Sequence, residues 1–254
     1  MTGPRRPIVF LHIPKTAGQT IHTALQRAVG PENVSPIRTH TQVATAVAQM
    51  PTGYALYSGH IDWVALEALQ NPFTFSVLRD PRERIASFYF YLQKEARALS
   101  GEALESAENF GKKKALTQTA SAYFFGGDDS WQHFIRDHYD NFYCSYFVTR
   151  KMRGWSEISK LSQAQKVAQA LANLEQLDRV YSTKNLAILE QDLSALLQTD
   201  INVVGKYVNQ GNLPQAEPRW PRLLARLDSD KDITKLKRFV ESDRALIDAL
   251  NLHV

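Results

Sequence analysis

The 254-residue chain has one cysteine, Cys144, which excludes an internal disulfide framework and any multi-cysteine metal cluster. It lacks a long apolar run near its start. Ile8 to Leu11 is too short for a signal-peptide core or a membrane span, so a soluble protein of a reducing, cytoplasmic compartment is expected. Excess charge of one sign is scarce too: 30 Lys and Arg against 26 Asp and Glu leave +4. That excess falls within residues 1–40, where Arg5, Arg6, Lys15, Arg27 and Arg38 face Glu32 alone. The remainder is neutral, and Lys112-Lys113-Lys114 is its one run of three cations. A nucleic-acid face needs more clustering, so nucleic acid is not an expected partner. Hydrophobic residues at 44% and charged residues at 22% describe a globular chain, not a disordered one.

Four segments read as strands: Ile8–Leu11, Tyr54–Tyr57 running on to Gly59-His60, Phe73–Leu78 and Arg179–Ser182. The first is a continuous apolar run, the pattern of a strand buried on both faces, and Pro14 ends it. Helical spacing follows at Ile21, Leu25 and Val29, stopped by Gly30-Pro31. Asp80 as N-cap, Pro81 at the first helical position and Glu83 at the third predict a capped helix reaching Arg97. Further helices are expected over 61–69, over 140–153, around Val167, Leu171 and Leu174, on the Leu186, Leu189, Leu193 and Leu196 face, and over 231–250. Residues 98–130 read as an insertion or mobile surface region with some helix, and residues 213–221, with three prolines, as a loop.

Strands followed by helices predict an α/β fold: one domain over 1–254, with a central, mainly parallel sheet flanked by helices. Ligands of such folds gather at the carboxyl ends of the strands. That rule selects residues 12–20, 59–63 and 79–87.

In the first of these, His12-Ile13-Pro14-Lys15-Thr16-Ala17-Gly18-Gln19-Thr20, small residues precede a helix start. Free N–H groups, the helix dipole, the Lys15 charge and the Thr16 and Thr20 hydroxyls make an anion cradle, most naturally for phosphate. It is not a Walker A loop, because no glycine precedes Lys15. A plain strand-to-helix turn with a solvated lysine has the same local pattern. In the third, Arg79 stands where its guanidinium can grip a phosphate bidentately, and Ser87 lies two turns into the helix. Capping by Asp80 with surface arginines accounts for that segment equally well.

Together, HIPKTAGQT at 12–20 and RDPRERIASFY at 79–89 resemble the phosphosulfate- and 3′-phosphate-binding motifs of sulfotransferases that use 3′-phosphoadenosine 5′-phosphosulfate (PAPS). The closer likeness is to the carbohydrate branch that includes heparan sulfate 2-O- and 6-O-sulfotransferases. It is strong over residues 7–92, with a weaker echo at 162–182 and Lys206 to Asn212. The resemblance implies a P-loop-like phosphosulfate loop formed by Lys15, Thr16, Ala17, Gly18, Gln19 and Thr20, with Lys15 near the transferring group. It implies that Arg79 and Ser87 hold the 3′-phosphate. Gln19 departs from the more usual Thr or Ser, which leaves its backbone N–H as the contact. Gly59-His60-Ile61-Asp62-Trp63 resembles the segment that carries the catalytic histidine. A lone histidine is more often structural, but His60 lies at a strand end between the two anion motifs.

The expectation is a PAPS-dependent O-sulfotransferase with catalytic His60 and Lys15, a hydroxyl-bearing acceptor of carbohydrate type, and no metal. A nucleotide-dependent kinase or hydrolase of P-loop-like fold is the alternative, disfavoured by the missing Walker A spacing. A third reading is a binding protein that kept the fold and lost catalysis. Residues 98–130, 150–153 and 213–221 are acceptor-side candidates by elimination.

Overall fold

Ile8, Val9, Phe10 and Leu11 have no exposed surface because they form an inner strand of the sheet, β1 (Ile8–Leu11). The computed structural model describes residues 6–204 and 218–254. Parallel partners flank β1 on both sides: β2 (Leu56–Gly59) and β3 (Phe73–Leu78), with β4 (Arg179–Ser182) outside β3. The order is β2-β1-β3-β4. Leu11 stands opposite Gly59 on one side and Ser76 on the other, so the strand ends that carry the candidate residues lie side by side. The outer edge of β2 is itself covered. Residues 33–40 run parallel to it, with bridges Val34–Leu56 and Thr39–His60.

The helices are α1 (Gly18–Val29), α2 (Pro81–Arg97), α3 (Gly101–Glu105), α4 (Phe110–Thr117), α5 (Ala120–Phe125), α6 (Asp129–Tyr139) and α7 (Phe142–Thr149). They continue with α8 (Trp155–Ile158), α9 (Gln163–Leu174), α10 (Leu186–Leu197), α11 (Arg219–Leu224), α12 (Asp230–Arg238) and α13 (Glu241–Ala249). One face of the sheet packs Val9, Leu11 and Leu78 against Phe142, Tyr146, Leu174 and Leu246 from α7, α9 and α13. The other packs Ile8, Phe10, Phe75 and Val77 against Ile21 and Leu25 of α1 and Leu189 and Leu193 of α10. This is a single α/β domain with helices on both faces of a parallel sheet. Among the described residues no helix is long and apolar enough to cross a membrane.

Several expected elements differ. The second strand begins at Leu56, two residues late, because Ala55 N–H bonds Asn33 O outside the sheet. Residues 61–69 form no α-helix but a clamp (below) and a short turn at Leu66–Ala68. The 140–153 helix is confined to Phe142–Thr149 and ends at Arg150 in the left-handed conformation. The 98–130 region is helical, and Tyr123, Phe124 and Trp131 join Ile85 and Tyr89 of α2 in a separate aromatic core. The expected 231–250 helix is two, broken at Phe239 and Val240, where Asn141 N–H takes the Phe239 carbonyl at 2.7 Å. In the 213–221 segment, Arg219–Leu224 is helical; residues 213–217, like Lys206 to Asn212, lie outside the described residues.

Candidate active site

The loop between β1 and α1 is shaped by two non-glycine residues at positive φ, Lys15 at 73° and Ala17 at 66°. Each costs of order 1–3 kcal/mol, a strain tolerated where surrounding structure or function demands it. Thr16 is wholly buried and its Oγ donates to Ile13 O at 2.8 Å, pinning the turn. Ala17 occupies the N-cap of α1 and offers no side-chain acceptor. The N–H groups of Gly18 and Gln19 therefore have no hydrogen-bond partner among the described residues. At α2 the opposite holds: Asp80 accepts from Arg82 N–H at 2.8 Å and Glu83 N–H at 3.3 Å. Of the two helices that start at these strand ends, α2 is capped by its own side chain and α1 has no side-chain cap among the described residues.

Glu83 does not close the expected capping box. Its carboxylate pairs with Arg79 Nη2 at 3.3 Å and accepts Trp220 N–H of α11 at 2.9 Å. Four-residue spacing puts Glu83, Ser87 and Tyr91 on one stripe of α2, about 6 Å apart along its axis. Lys15 Nζ sits 3.8 Å above the ring of Tyr91. Ser87 thus stands between the partner of Arg79 and the seat of Lys15, half-buried, its hydroxyl unbonded among the described residues. Burial first, then the charges of Arg79 and Arg219, lower the Lys15 ammonium to a pKa of about 8. Burial likewise lowers Arg79, against the pull of Glu83. Arg79 and Arg219 act on Lys15, and Arg219 on Arg79, against Glu95 at Lys15 and Glu83 and Asp80 at Arg79. The motifs name neither Tyr91 nor Arg219. Tyr91 is signalled by the 83–87–91 spacing; Arg219 lies in the 213–221 segment, an acceptor-side candidate only by elimination.

His60 follows β2 and is fixed by β1. Its Nδ1 donates to the carbonyl of His12 at 2.7 Å, so the neutral ring keeps its lone pair on Nε2. Nε2 has no hydrogen-bond partner among the described residues. The His12 and His60 rings lie 4.3 Å apart between centroids. Burial lowers the His60 pKa, the bond to His12 opposing it and Arg38 and His40 adding to it; burial drives His12 lower still. Both imidazoles are neutral at neutral pH. Since His12 also belongs to the anion loop, one residue joins the loop to His60.

The backbone bonds His60 N–H to Arg38 O and His40 N–H to His60 O, both 2.8 Å, hold residues 38–40 against the strand end. Gly59 permits this approach: a Cβ there would lie 2.2 Å from Arg38 O. Asp62, by contrast, faces away from His60. It accepts Gln49 Nε2 at 3.2 Å and Met152 N–H at 2.7 Å, so it serves as a structural clamp. Among the described residues no group of three His, Cys, Asp or Glu could hold a metal ion.

A model of the sulfotransferase family matches residues 1–215, and the chain belongs to that family. No curated protein matches it. Among solved structures, a sulfotransferase from Alicyclobacillus acidocaldarius aligns with a TM-score of 0.46 and 15% identity, covering 98% of this chain and 97% of that one. Family membership favours sulfuryl transfer over the nucleotide kinase or hydrolase alternative.

Proposed function

We propose that the chain is an O-sulfotransferase that takes its sulfuryl group from PAPS and delivers it to a hydroxyl of a carbohydrate-type acceptor, as in the branch of heparan sulfate 2-O- and 6-O-sulfotransferases. The observation that carries this reading is the uncapped start of α1, with Lys15 over Tyr91, tied through His12 to a histidine whose free nitrogen is Nε2.

In this reading the N–H groups of residues 16–20 and the Lys15 ammonium hold the 5′-phosphosulfate, and Arg79 and Ser87 hold the 3′-phosphate. His60 Nε2 takes the proton of the acceptor hydroxyl as its oxygen bonds to sulfur. The bond from sulfur to the bridging phosphate oxygen breaks in line. Lys15 and the loop N–H groups stabilise the charge that gathers on that oxygen and on the departing 3′,5′-adenosine bisphosphate. Contacts by Arg79 and Ser87, remote from sulfur, fix the donor so that its binding energy serves orientation. A neutral His60 suits the role, because a charged imidazolium could not accept a proton.

Thermal shift tests the reading directly. 3′,5′-Adenosine bisphosphate without magnesium should raise Tm, and ATP-magnesium should not. Stabilisation by ATP-magnesium alone would refute it.

A further inference from the structure

Arg79 stands one residue past the sheet. The last ladder position of β3 is Leu78, opposite Ser182, and its carbonyl accepts Thr183 N–H at 2.8 Å. On the other side β1 has already ended, with Leu11 opposite Ser76. One side chain takes over where the strands stop. Tyr143 Oη, from the first turn of α7, donates to Arg79 O at 2.8 Å and accepts Arg79 N–H at 3.2 Å. No other hydrogen bond reaches the Arg79 backbone among the described residues. A backbone donor and acceptor at a strand end both need partners, and here a single hydroxyl serves both.

That hydroxyl is itself fixed. Tyr143 has no exposed surface, and its own N–H and that of Cys144 donate to the Asp243 carboxylate of α13 at 3.0 and 2.9 Å. In return Asn141, just before α7, accepts Ser242 and Asp243 N–H on its side-chain oxygen at 2.7 and 3.2 Å. The starts of α7 and α13 therefore cap each other, and neither shifts alone. The Arg84 guanidinium lies 4.4 Å from the centre of the Phe142 ring and 5.8 Å from that of Tyr143. Burial raises the Tyr143 pKa, so the hydroxyl keeps the proton that it donates. The head of Arg79 is held by a different group, Glu83 Oε2 at 3.3 Å, which is long for a charge-assisted bond. An arginine so mounted can exchange a carboxylate for a phosphate while its backbone stays in place.

We propose that Tyr143 is the positioning residue of the 3′-phosphate site: its hydroxyl fixes the Arg79 backbone at the end of β3, so that the guanidinium meets the donor's 3′-phosphate and the site tells 3′-phosphorylated donors from those without that group. This rests on the sulfotransferase reading above and adds a specificity-determining residue to it. Tyr143 touches no part of the donor; it acts through Arg79.

The test compares binding of PAPS and adenosine 5′-phosphosulfate, which differ by the 3′-phosphate alone, by calorimetry without acceptor. Wild-type protein should prefer PAPS. Tyr143→Phe removes only the hydroxyl and should lower that preference about tenfold, with affinity for adenosine 5′-phosphosulfate unchanged. In an Arg79→Ala background the same substitution should change the preference no further, because its effect passes through Arg79. An unchanged preference in Tyr143→Phe, or an equal loss for both nucleotides, overturns the proposal; the second result would make Tyr143 a packing residue. Should Tyr143→Phe fail to fold, hydrogen exchange on wild type decides. Arg79 N–H, whose acceptor is the Tyr143 hydroxyl, should exchange more slowly with PAPS bound than with adenosine 5′-phosphosulfate bound, and equal rates overturn the proposal. Wild type that binds neither nucleotide would instead overturn the donor reading on which the proposal rests.

Discussion

The imidazole of His12 occupies the space that a side chain on Gly18 would need: a Cβ at Gly18 would come 1.7 Å from His12 Nε2. The loop can turn beneath that ring only with glycine there, and His12 then stacks on Phe10 at 5.3 Å and lies tilted against His60 at 4.3 Å. Gly18→Ala should push His12 aside and His60 with it. We expect a loss of about 1–3 kcal/mol in stability from overpacking, seen in chemical denaturation, and at least a tenfold fall in transfer. Unaltered transfer in this variant would mean that the His12 ring does not position His60.

Glu83 holds both Arg79 and the first turn of α11, so its charge competes with a phosphate for the same guanidinium. Glu83→Gln keeps an acceptor oxygen for Trp220 N–H and removes the charge. Calorimetry should show 3′,5′-adenosine bisphosphate bound roughly 3–10-fold more tightly. Arg79→Ala should weaken it about 100-fold. Weaker binding in Glu83→Gln, or unchanged binding in Arg79→Ala, would contradict the assignment of the 3′-phosphate to this end of α2.

Lys15 loses its proton near pH 8, whereas His60 titrates below its usual range. His60 is therefore unprotonated, and the Lys15 ammonium intact, across the neutral window. Transfer at subsaturating donor should fall as pH rises through about 8, and should persist below pH 6.5 until His60 protonates. An anion beside Lys15 raises its pKa, so binding of the bisphosphate at pH 8 should take up about half a proton. Calorimetry in buffers of different ionisation enthalpy measures this. Proton release would reverse the sign and exclude Lys15 as the responding group.

Asp62 lies two residues from His60, which invites a role as its orienting carboxylate, but its bonds run to Gln49 and Met152. Asp62→Ala should cost about 1–3 kcal/mol of stability by orphaning those partners. The acid limb of the pH–rate profile should stay in place. A shift of that limb would make Asp62 a partner of His60.

The strand at 8–11 is legible because a parallel strand buried on both faces leaves a continuous apolar run, whereas the edge strand Arg179–Ser182 is marked only by Val180 and Tyr181. Lys15, Arg79 and His60 are legible as candidates because each stands just past a strand end. The segment 61–69 misled, since its apolar spacing arises from Ile61, Trp63 and Leu66 packing in the core without a helix, while Asp62 and Trp63 bind residues 49 and 146–152. The long helices expected over 140–153 and 231–250 break at Arg150 and at Phe239–Val240, neither marked by proline or glycine at the break. Arg219 lies in the 213–221 segment, which the sequence selects only by elimination, because its action on Lys15 and Arg79 comes from tertiary packing across the chain.

In the proposed reaction His60 removes the acceptor proton, while the donor contacts lie elsewhere, on Lys15 and Arg79. The most direct measurement compares radiolabelled-sulfate transfer by wild type and His60→Ala across an acceptor panel, with bisphosphate affinity measured on the same preparations. Transfer should fall about 10²–10⁴-fold with affinity for 3′,5′-adenosine bisphosphate essentially retained. Near-normal turnover in His60→Ala would contradict it.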